Sequence, residues 1–251
     1  MKKSPLRISA VSYVNAKPFV YGIEKSGFLK EYDLSLDVPS VCAEKLITGK
    51  VDIGLAPIAI IPLLKEYYIF PDFCIGADGP VKSVILYSEV PLNEIQAIHL
   101  DYQSRTSVQL VRLLAKHFWK ISPQWKDAKQ GYETGIKTTS AGVIIGDRNF
   151  SFTGKHKYVY DLSEQWKLFT GLPFVFACWI TNKELDEQDA IAFYKSLKWG
   201  VDNRSKVVKE LKKEYDEKMI SSYLNHYINY TFDKPKHVAM DLFLRLGKEI
   251  V

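Results

Sequence analysis

The chain has few cysteines and lacks the long apolar runs that mark secreted and membrane-spanning proteins. Its three cysteines, Cys42, Cys74 and Cys178, are odd in number, far apart and never spaced as Cys-x-x-Cys. We therefore expect neither disulfides nor a thiolate metal site. No stretch is long enough to span a membrane, and the basic start is interrupted before it reaches the apolar length of a signal peptide. These absences predict a cytoplasmic protein with no membrane span.

Charge of one sign is only slightly in excess. The 34 Lys and Arg outnumber the 29 Asp and Glu and give a formal charge of +5, which favours anionic small molecules as ligands. The Lys-rich stretch from Lys206 to Lys218 alternates with Glu and Asp, which is typical of a solvated helix face rather than a nucleic-acid surface. We therefore expect a small anion as the partner and no nucleic acid, while the sequence indicates no oligomeric state.

Short apolar strands alternate with helical patterns along the chain, which is typical of an α/β protein. The patterns predict helices over 58–64 and 108–120, and a helical set from Gln188 onward. A polar, Pro-bearing joint at 88–93 and a second joint near 175–181 predict two lobes joined by two crossings. The expected division is 1–90 for the first part of lobe 1, 91–177 for lobe 2, and 178–251 for the return to lobe 1 with the C-terminal helices.

Loops at the carboxyl ends of strands are the expected ligand contacts, because open α/β sheets bind ligands there. Six polar, Gly-bearing or Pro-bearing loops adjoin apolar strands, at 12–18, 55–58, 79–83, 101–107, 146–149 and 170–174. For any one of them alone, an ordinary turn is the preferred interpretation. No His-x-x-x-His pair and no cluster of carboxylates occurs, so we expect no metal. None of the five His falls in these loops.

One of these loops has the composition of an anion-binding turn. A buried strand over 97–101 runs into the hydroxyl-rich segment 104–107 and then into a helix. Thr106 or Ser107 is expected to cap that helix, and the free N–H groups of its first turn would face the segment. The alternative is a helix cap that binds nothing.

Several segments, in this order and spacing, resemble one known family. They are 12–19 (SYVNAKPF), 51–58 (VDIGLAPI), 101–107 (DYQSRTS), 145–147 (IGD) and 160–177, which includes TGLPFVFA. On these segments the chain resembles the periplasmic-binding-protein-like enzymes of the futalosine route to menaquinone, specifically the chorismate dehydratases. It departs from the family pattern at Val14, Phe19 and Ile58. The last departure removes a hydroxyl, so no ligand contact is assigned to Ile58.

The resemblance implies a fold and a reaction. The fold would be a two-lobed, type II periplasmic-binding-protein-like α/β fold, with a ligand cleft between lobes and a helical C-terminal part completing lobe 1. The reaction would be that of a carbon-oxygen lyase, which removes water from chorismate to give 3-[(1-carboxyvinyl)oxy]benzoate. Orientation of a small dianion is the main task of such an enzyme, and the reaction needs no metal or cofactor.

The resemblance also assigns roles to residues. Ser83, Ser104, Thr106 and Ser107 would bind a carboxylate. Asn15 would be the catalytic residue, and without the resemblance an Asx turn before Pro18 is a nearly equal alternative for it. Arg105 would clamp a carboxylate, although an Arg at a helix start also commonly faces solvent. The remaining predicted substrate contacts are Gly146, Asp147, Thr170, Gly171 and Phe174. The substrate's own side-chain carboxylate is our hypothesis for the base that removes the ring proton, and Asp147 is the rival.

Other classes of protein share this architecture. The sibling enzyme that releases dihydroxynaphthoate from a cyclised futalosine is expected to place a His in its pocket. A non-catalytic small-anion-binding protein, such as the solute-binding subunit of an importer, is expected to carry a signal peptide or a lipid-attachment Cys. A transcription regulator would need a helix-turn-helix before the first strand. The sequence shows none of these features.

Overall fold

The computed structural model describes residues 4–152 and 154–250, and their contacts divide the chain into two compact units. The first unit runs to Ile75 and resumes from Ala177 to Phe232, while the second runs from Gly76 to Phe176 and resumes at Asp233. The chain thus passes between the units three times. The first passage lies some fifteen residues before the predicted boundary at 90, and the second lies next to the predicted boundary at 177.

Strands and helices alternate along much of the chain, as the apolar pattern predicts. In chain order the strands are β1 (Leu6–Val11), β2 (Tyr32–Asp37), β3 (Ile53–Pro57), β4 (Tyr68–Ala77), β5 (Val84–Ser88), β6 (Ala97–Leu100), β7 (Gln124–Asp127), β8 (Ser140–Ile145), β9 (Tyr158–Asp161), β10 (Phe174–Thr181) and β11 (Asn229–Phe232). The helices are α1 (Lys17–Lys25), α2 (Pro39–Ile47), α3 (Thr106–Leu113), α4 (Leu162–Thr170), α5 (Glu187–Asp202), α6 (Arg204–Leu211), α7 (Glu217–Ser222) and α8 (Lys234–Gly247).

The first unit is built on a mixed sheet of order β11-β4-β10-β3-β1-β2. Strand β1 lies parallel to β2 and β3, whereas β10 runs antiparallel to β3. Helices α1 and α5 approach each other through glycines, because a Cβ on Gly22 would lie 2.0 Å from the carbonyl oxygen of Ser196, and one on Gly200 would lie 1.9 Å from that of Pro18. Only glycine permits this backbone approach.

The second unit is built on a sheet of order β7-β6-β8-β5-β9. Strand β6 is parallel to β7 and β8, and β5 is antiparallel to β8 and β9, with Val84 opposite Ile145 and Ile85 opposite Asp161. The carboxyl ends of β6, β8 and β9 therefore share one end of the sheet with the amino end of β5. We call this end, at Leu100, Ile145, Asp161 and Val84, the loop edge.

Helix α8 belongs to the second unit, whereas the sequence-based division places it in lobe 1. The ring of Phe243 lies 5.3 Å from that of Phe174 and 6.2 Å from that of Trp166, and these contacts hold α8 against the second unit. Lys236, at the start of α8, is 1% exposed, and its Nζ lies 3.1 Å from both carboxylate oxygens of Asp233. Helices α5, α6 and α7 lie in the first unit.

Two predicted helices differ in type or length. The segment predicted as a helix over 58–64 forms a 3-10 helix over Ile58–Leu63, since Pro62 inside it has no N–H for an α-helical hydrogen bond. The helix predicted over 108–120 begins earlier, as α3, and continues as a π-helical turn over Leu114–Trp119. Strands β4, β7 and β11 were not predicted.

Candidate functional site

Three of the predicted site segments meet at the loop edge of the second unit. Residues 101–107 follow β6, Gly146 and Asp147 follow β8, and Ser83 precedes β5. The Gly146 N–H donates to the carbonyl oxygen of Ser83 at 2.9 Å, and the amide Nδ2 of Asn149 donates to the same oxygen at 3.0 Å. Gly146 has a φ of +68°, a left-handed conformation that favours glycine.

The hydroxyl-rich turn starts α3, but with a different cap from the predicted one. Neither Thr106 nor Ser107 caps the helix. The N-cap position of α3 is Arg105, whose side chain makes no capping hydrogen bond, while the Oγ of Ser104, one residue earlier, accepts the Ser107 N–H at 3.0 Å. The Thr106 hydroxyl instead donates to the carbonyl oxygen of Phe176 at 3.0 Å. Ser104, Thr106 and Ser107 are buried, and Arg105 is exposed.

Asp101 lies beneath this turn and is 1% exposed. One carboxylate oxygen accepts the Gln103 N–H at 2.9 Å, and the other accepts the Ile145 N–H at 3.0 Å. The second oxygen also lies 3.0 Å from the Tyr132 hydroxyl, whose single proton it shares with the main-chain oxygen of Val143. The second oxygen also pairs with a guanidinium nitrogen of Arg148. Burial raises the pKa of Asp101 above its ordinary value, while the charge of Arg148 acts in the opposite direction.

Arg148 joins Asp101 to a second carboxylate. Its Nη1 lies 2.7 Å from the Oε1 of Glu133, and its guanidinium carbon lies 5.5 Å from the ring centroid of Tyr102 and 6.0 Å from that of Tyr132. The side chain is 25% exposed. Neither Arg148 nor Glu133 is among the residues predicted for the site, and no local motif marks either residue.

Asp161 holds the loop that leads to Ser83. Its Oδ2 accepts the N–H groups of Val81 at 2.9 Å and Lys82 at 2.7 Å, while its Oδ1 caps α4 through the N–H groups of Ser163 and Glu164. Burial raises the pKa of Asp161 to about 6, against the lowering effect of these four donors. The Asp161 carboxylate therefore holds the backbone just before β5 and just after β9.

Asn15 lies in the first unit, in the 3-10 turn Val14–Ala16 that follows β1. Its main-chain oxygen accepts the Tyr230 hydroxyl at 2.9 Å. Its side-chain Oδ1 is shielded from solvent and has no hydrogen-bond partner within 4–152 and 154–250. A shielded amide oxygen without a partner is uncommon in proteins, so the turn presents an amide that its own neighbours do not satisfy.

Three predicted substrate contacts have structural partners. The Thr170 hydroxyl donates to the carbonyl oxygen of Trp166 and accepts the Leu172 N–H, and Gly171 ends α4 with a φ of +74°. Phe174 is 1% exposed in the aromatic core of the second unit. These contacts end a helix and fill a core. A part for the three residues in substrate binding stays a prediction.

The part of the chain that the structure describes shows neither a metal-binding cluster nor a membrane-spanning helix. No group of three or more His, Cys, Asp and Glu in it is arranged to hold a metal ion. No described helix is both long and apolar enough to cross a bilayer.

Two histidines of the second unit have defined surroundings. Burial and the neighbouring Lys126 lower the pKa of His99, on β6, and the Nδ1 of His156 lies 2.7 Å from the Oε1 of Glu89.

Comparison with solved structures places the molecule among the periplasmic-binding-protein-like folds. The chain is similar to a protein of Archaeoglobus fulgidus with a TM-score of 0.77 and 13% identity, over 98% of this chain and 97% of the other. It is also similar to a Candida albicans protein described as exhibiting the generic periplasmic binding protein structural fold, with a TM-score of 0.69 and 10% identity, over 98% and 91% of the two chains. Likeness at these identities shows the fold, and it confirms the predicted fold class.

Sequence comparison then gives the family. The family model for menaquinone biosynthesis matches residues 6–249, and the chain belongs to that family. The chain is also 27% identical, over 200 residues, to chorismate dehydratase of Thermus thermophilus, which covers 72% of this chain and 71% of that protein. Both findings confirm the resemblance predicted from the sequence.

Proposed function

We propose that the protein is a cytoplasmic chorismate dehydratase, which removes water from chorismate to give 3-[(1-carboxyvinyl)oxy]benzoate in menaquinone biosynthesis. The main supporting observation is the meeting of Ser83, the 104–107 turn and the 146–147 loop at the loop edge. Membership of the family and similarity to the Thermus enzyme support the same reaction.

The chemistry of the loop edge suits a carboxylate. The Ser104 Oγ accepts the Ser107 N–H, which leaves its own proton for an anion, since a hydroxyl both donates and accepts. The N-terminus of α3 adds the positive end of a helix dipole. Arg105 lies in the same turn with its side chain exposed and would supply a charge-assisted hydrogen bond. We propose these groups as the ligands of one chorismate carboxylate.

The elimination breaks one carbon–hydrogen and one carbon–oxygen bond of the ring. The electrons of the carbon–hydrogen bond become a ring double bond, and the hydroxyl leaves with a proton as water, which makes the ring aromatic. We propose that the substrate's own side-chain carboxylate accepts the ring proton, with Asp147 as the rival base. Asn15 is the proposed catalytic residue, because its amide donates a hydrogen bond without titrating.

Incubation of the purified protein with chorismate, without added metal or nucleotide, tests the proposal. Chromatography with mass detection should show a product one water lighter than chorismate. Binding without turnover would contradict the proposal in favour of a small-anion-binding protein. Turnover of a cyclised futalosine in place of chorismate would favour the dihydroxynaphthoate-forming sibling.

Variants separate the proposed roles. Asn15→Ala should lower kcat by about 100-fold or more, the usual effect of removing one donor to a developing charge, whereas Asn93→Ala, at an exposed asparagine, should leave kcat unchanged. Asp147→Asn should retain most of the activity if the substrate supplies the base. Loss of turnover with retained binding in Asp147→Asn, together with an active Asn15→Ala, would overturn the substrate-assisted mechanism.

A further inference from the structure

Arg148 is the partly buried cation of the loop edge, and its two terminal nitrogens already pair with protein carboxylates. Nη1 pairs with Glu133 at 2.7 Å and Nη2 pairs with Asp101. Two carboxylates face one guanidinium, so the local charge sums to about −1. A substrate carboxylate would be repelled by this cluster, and taking Arg148 for itself would leave the buried Asp101 without its cation.

Asp101 connects three segments through one carboxylate. It accepts the Gln103 N–H from the 101–107 turn, the Ile145 N–H from the end of β8, and the Tyr132 hydroxyl from the 3-10 turn Tyr132–Gly135. Arg148, in the 3-10 turn Gly146–Ser151, then ties the fourth segment to the same oxygen. The Asp101 carboxylate and its ion pair with Arg148 therefore link the 104–107 turn to the 146–147 loop, in addition to the pairing of β6 with β8.

We infer that Asp101 and Arg148 are positioning residues, which hold the 104–107 turn and the 146–147 loop at the separation that an anionic substrate requires, and that Arg148 does not itself bind the substrate. This inference rests on the proposed function of the same site. The inference gives the two arginines different roles. Arg105 is exposed and would bind the ligand, while Arg148 pairs with protein carboxylates.

The inference predicts a pH signature for Arg148→Met. The charged or titratable groups that face Asp101 are Arg148, Glu133 and Tyr132, with the His99 ring 6.2 Å from that of Tyr132. Without Arg148, the Asp101 carboxylate is buried beside Glu133 with no cation, which raises its pKa further. At low pH the protonated Asp101 keeps the loops in place, and as pH rises its ionisation disrupts them.

The experiment compares kcat/KM for chorismate between pH 5 and 8 in the wild type, Arg148→Met, the double variant Asp101→Asn with Arg148→Met, and the control Arg245→Met at an exposed helix position. Arg148→Met should lose about 100-fold at pH 8, the usual cost of an ångström-scale misplacement, and regain most of it at pH 5. The double variant should be more active than Arg148→Met at pH 8, with no such pH dependence, and the control should match the wild type.

Two outcomes would overturn the inference. A loss in Arg148→Met that is equal at every pH and unrelieved by Asp101→Asn would mean that Arg148 binds the substrate directly. A rise in KM alone that Arg148→Lys rescues fully would also mean that Arg148 binds the substrate directly. A lysine ammonium can bind a substrate carboxylate, but it cannot pair with Asp101 and Glu133 at once as the guanidinium does.

A second measurement separates this inference from the proposed function. If the wild type does not turn over chorismate, the proposed function fails, and amide hydrogen exchange of the ligand-free protein then tests the pair. Arg148→Met should speed exchange of the Gln103 and Ile145 amides together at pH 8, and Asp101→Asn in the same chain should slow it again. Unchanged exchange of both amides would contradict the positioning role.

Discussion

Two buried aspartates lie at the loop edge and hold its loops by different means. Asp101 joins the 101–107 turn to the 146–147 loop and pairs with the guanidinium of Arg148. Asp161 tethers the backbone before Ser83 and caps α4 through four main-chain N–H groups. Within residues 4–152 and 154–250, Asp161 has no ion-pair partner.

The difference shows that an equally buried charge can depend on one side chain or on none. A single substitution removes the guanidinium of Arg148 and leaves the buried Asp101 carboxylate without a cation. Every substitution except proline keeps the main-chain N–H group, so the partners of Asp161 do not depend on the identity of the neighbouring side chains. One substitution at Arg148 therefore removes the ion pair of Asp101, whereas a side-chain substitution at Val81, Lys82, Ser163 or Glu164, other than to proline, leaves the hydrogen bonds of Asp161 in place.

The largest expected effect on the free energy of unfolding comes from breaking the Asp101–Arg148 pair. Arg148→Met should lower the free energy of unfolding by about 3 kcal/mol at pH 7, since it leaves a buried carboxylate without its cation. Urea denaturation of the wild type and the variant measures the loss. Adding Asp101→Asn should restore much of it, and a single variant that costs less than about 1 kcal/mol would show that the pair behaves like a surface ion pair.

The second effect is a pH dependence at Asp161. Because its pKa is raised from 3.8 to about 6 in the folded protein, the stability that its protonation contributes is fully present below pH 4 and is lost as pH rises through 6. The free energy of unfolding of the wild type, relative to Asp161→Asn, should fall by at most about 3 kcal/mol across that window. Urea denaturation at four pH values measures it, and a relative stability that rises with pH would contradict the raised pKa.

The third effect separates the loop tether from the helix cap. Asp161→Ala should cost about 2 kcal/mol at pH 7, because it removes a cap together with two further buried acceptor contacts. Asp186, at the start of α5, caps through the N–H groups of Gln188 and Asp189, and Asp186→Ala should cost only about 1 kcal/mol. Equal costs in denaturation would mean that the contacts to Val81 and Lys82 contribute nothing.

The smallest effect concerns the exposed arginine of the same edge. Arg105→Ala should change the free energy of unfolding by less than about 0.5 kcal/mol, as is usual for an exposed side chain, while it raises KM for chorismate about 10-fold. Steady-state kinetics and denaturation on one preparation measure both. A loss of stability comparable to that of Arg148→Met would remove the distinction between the two arginines.

The sequence predicts the loop edge because its determinants are local. Apolar strands followed by polar residues define where β6 and β8 end, and parallel strands bring such ends together. Ser83 precedes its strand, and it reaches the same edge because β5 runs antiparallel to β8. The predicted cap, Thr106 or Ser107, lies one or two residues after the N-cap position at Arg105, since a cap position depends on where the first helical turn begins.

The Asp101 cluster and the position of α8 could not be predicted in this way. Arg148 lies 47 residues from Asp101 in the chain, and no periodicity relates a strand end to a side chain in a later turn. The apolar face of α8 shows that the helix is buried, but the pattern does not say which unit covers it. The rings of Trp166 and Phe174 decide that.

The burial of Lys236 makes it a chemical reporter. Its side chain is 1% exposed, and its Nζ contacts Asp233. An acylating reagent that labels the exposed lysines will therefore leave Lys236 unmodified while the second unit stays folded. Unfolding of that unit delivers a free amine. Appearance of the label at Lys236 in a peptide mass spectrum therefore times the opening of the second unit, without any introduced probe.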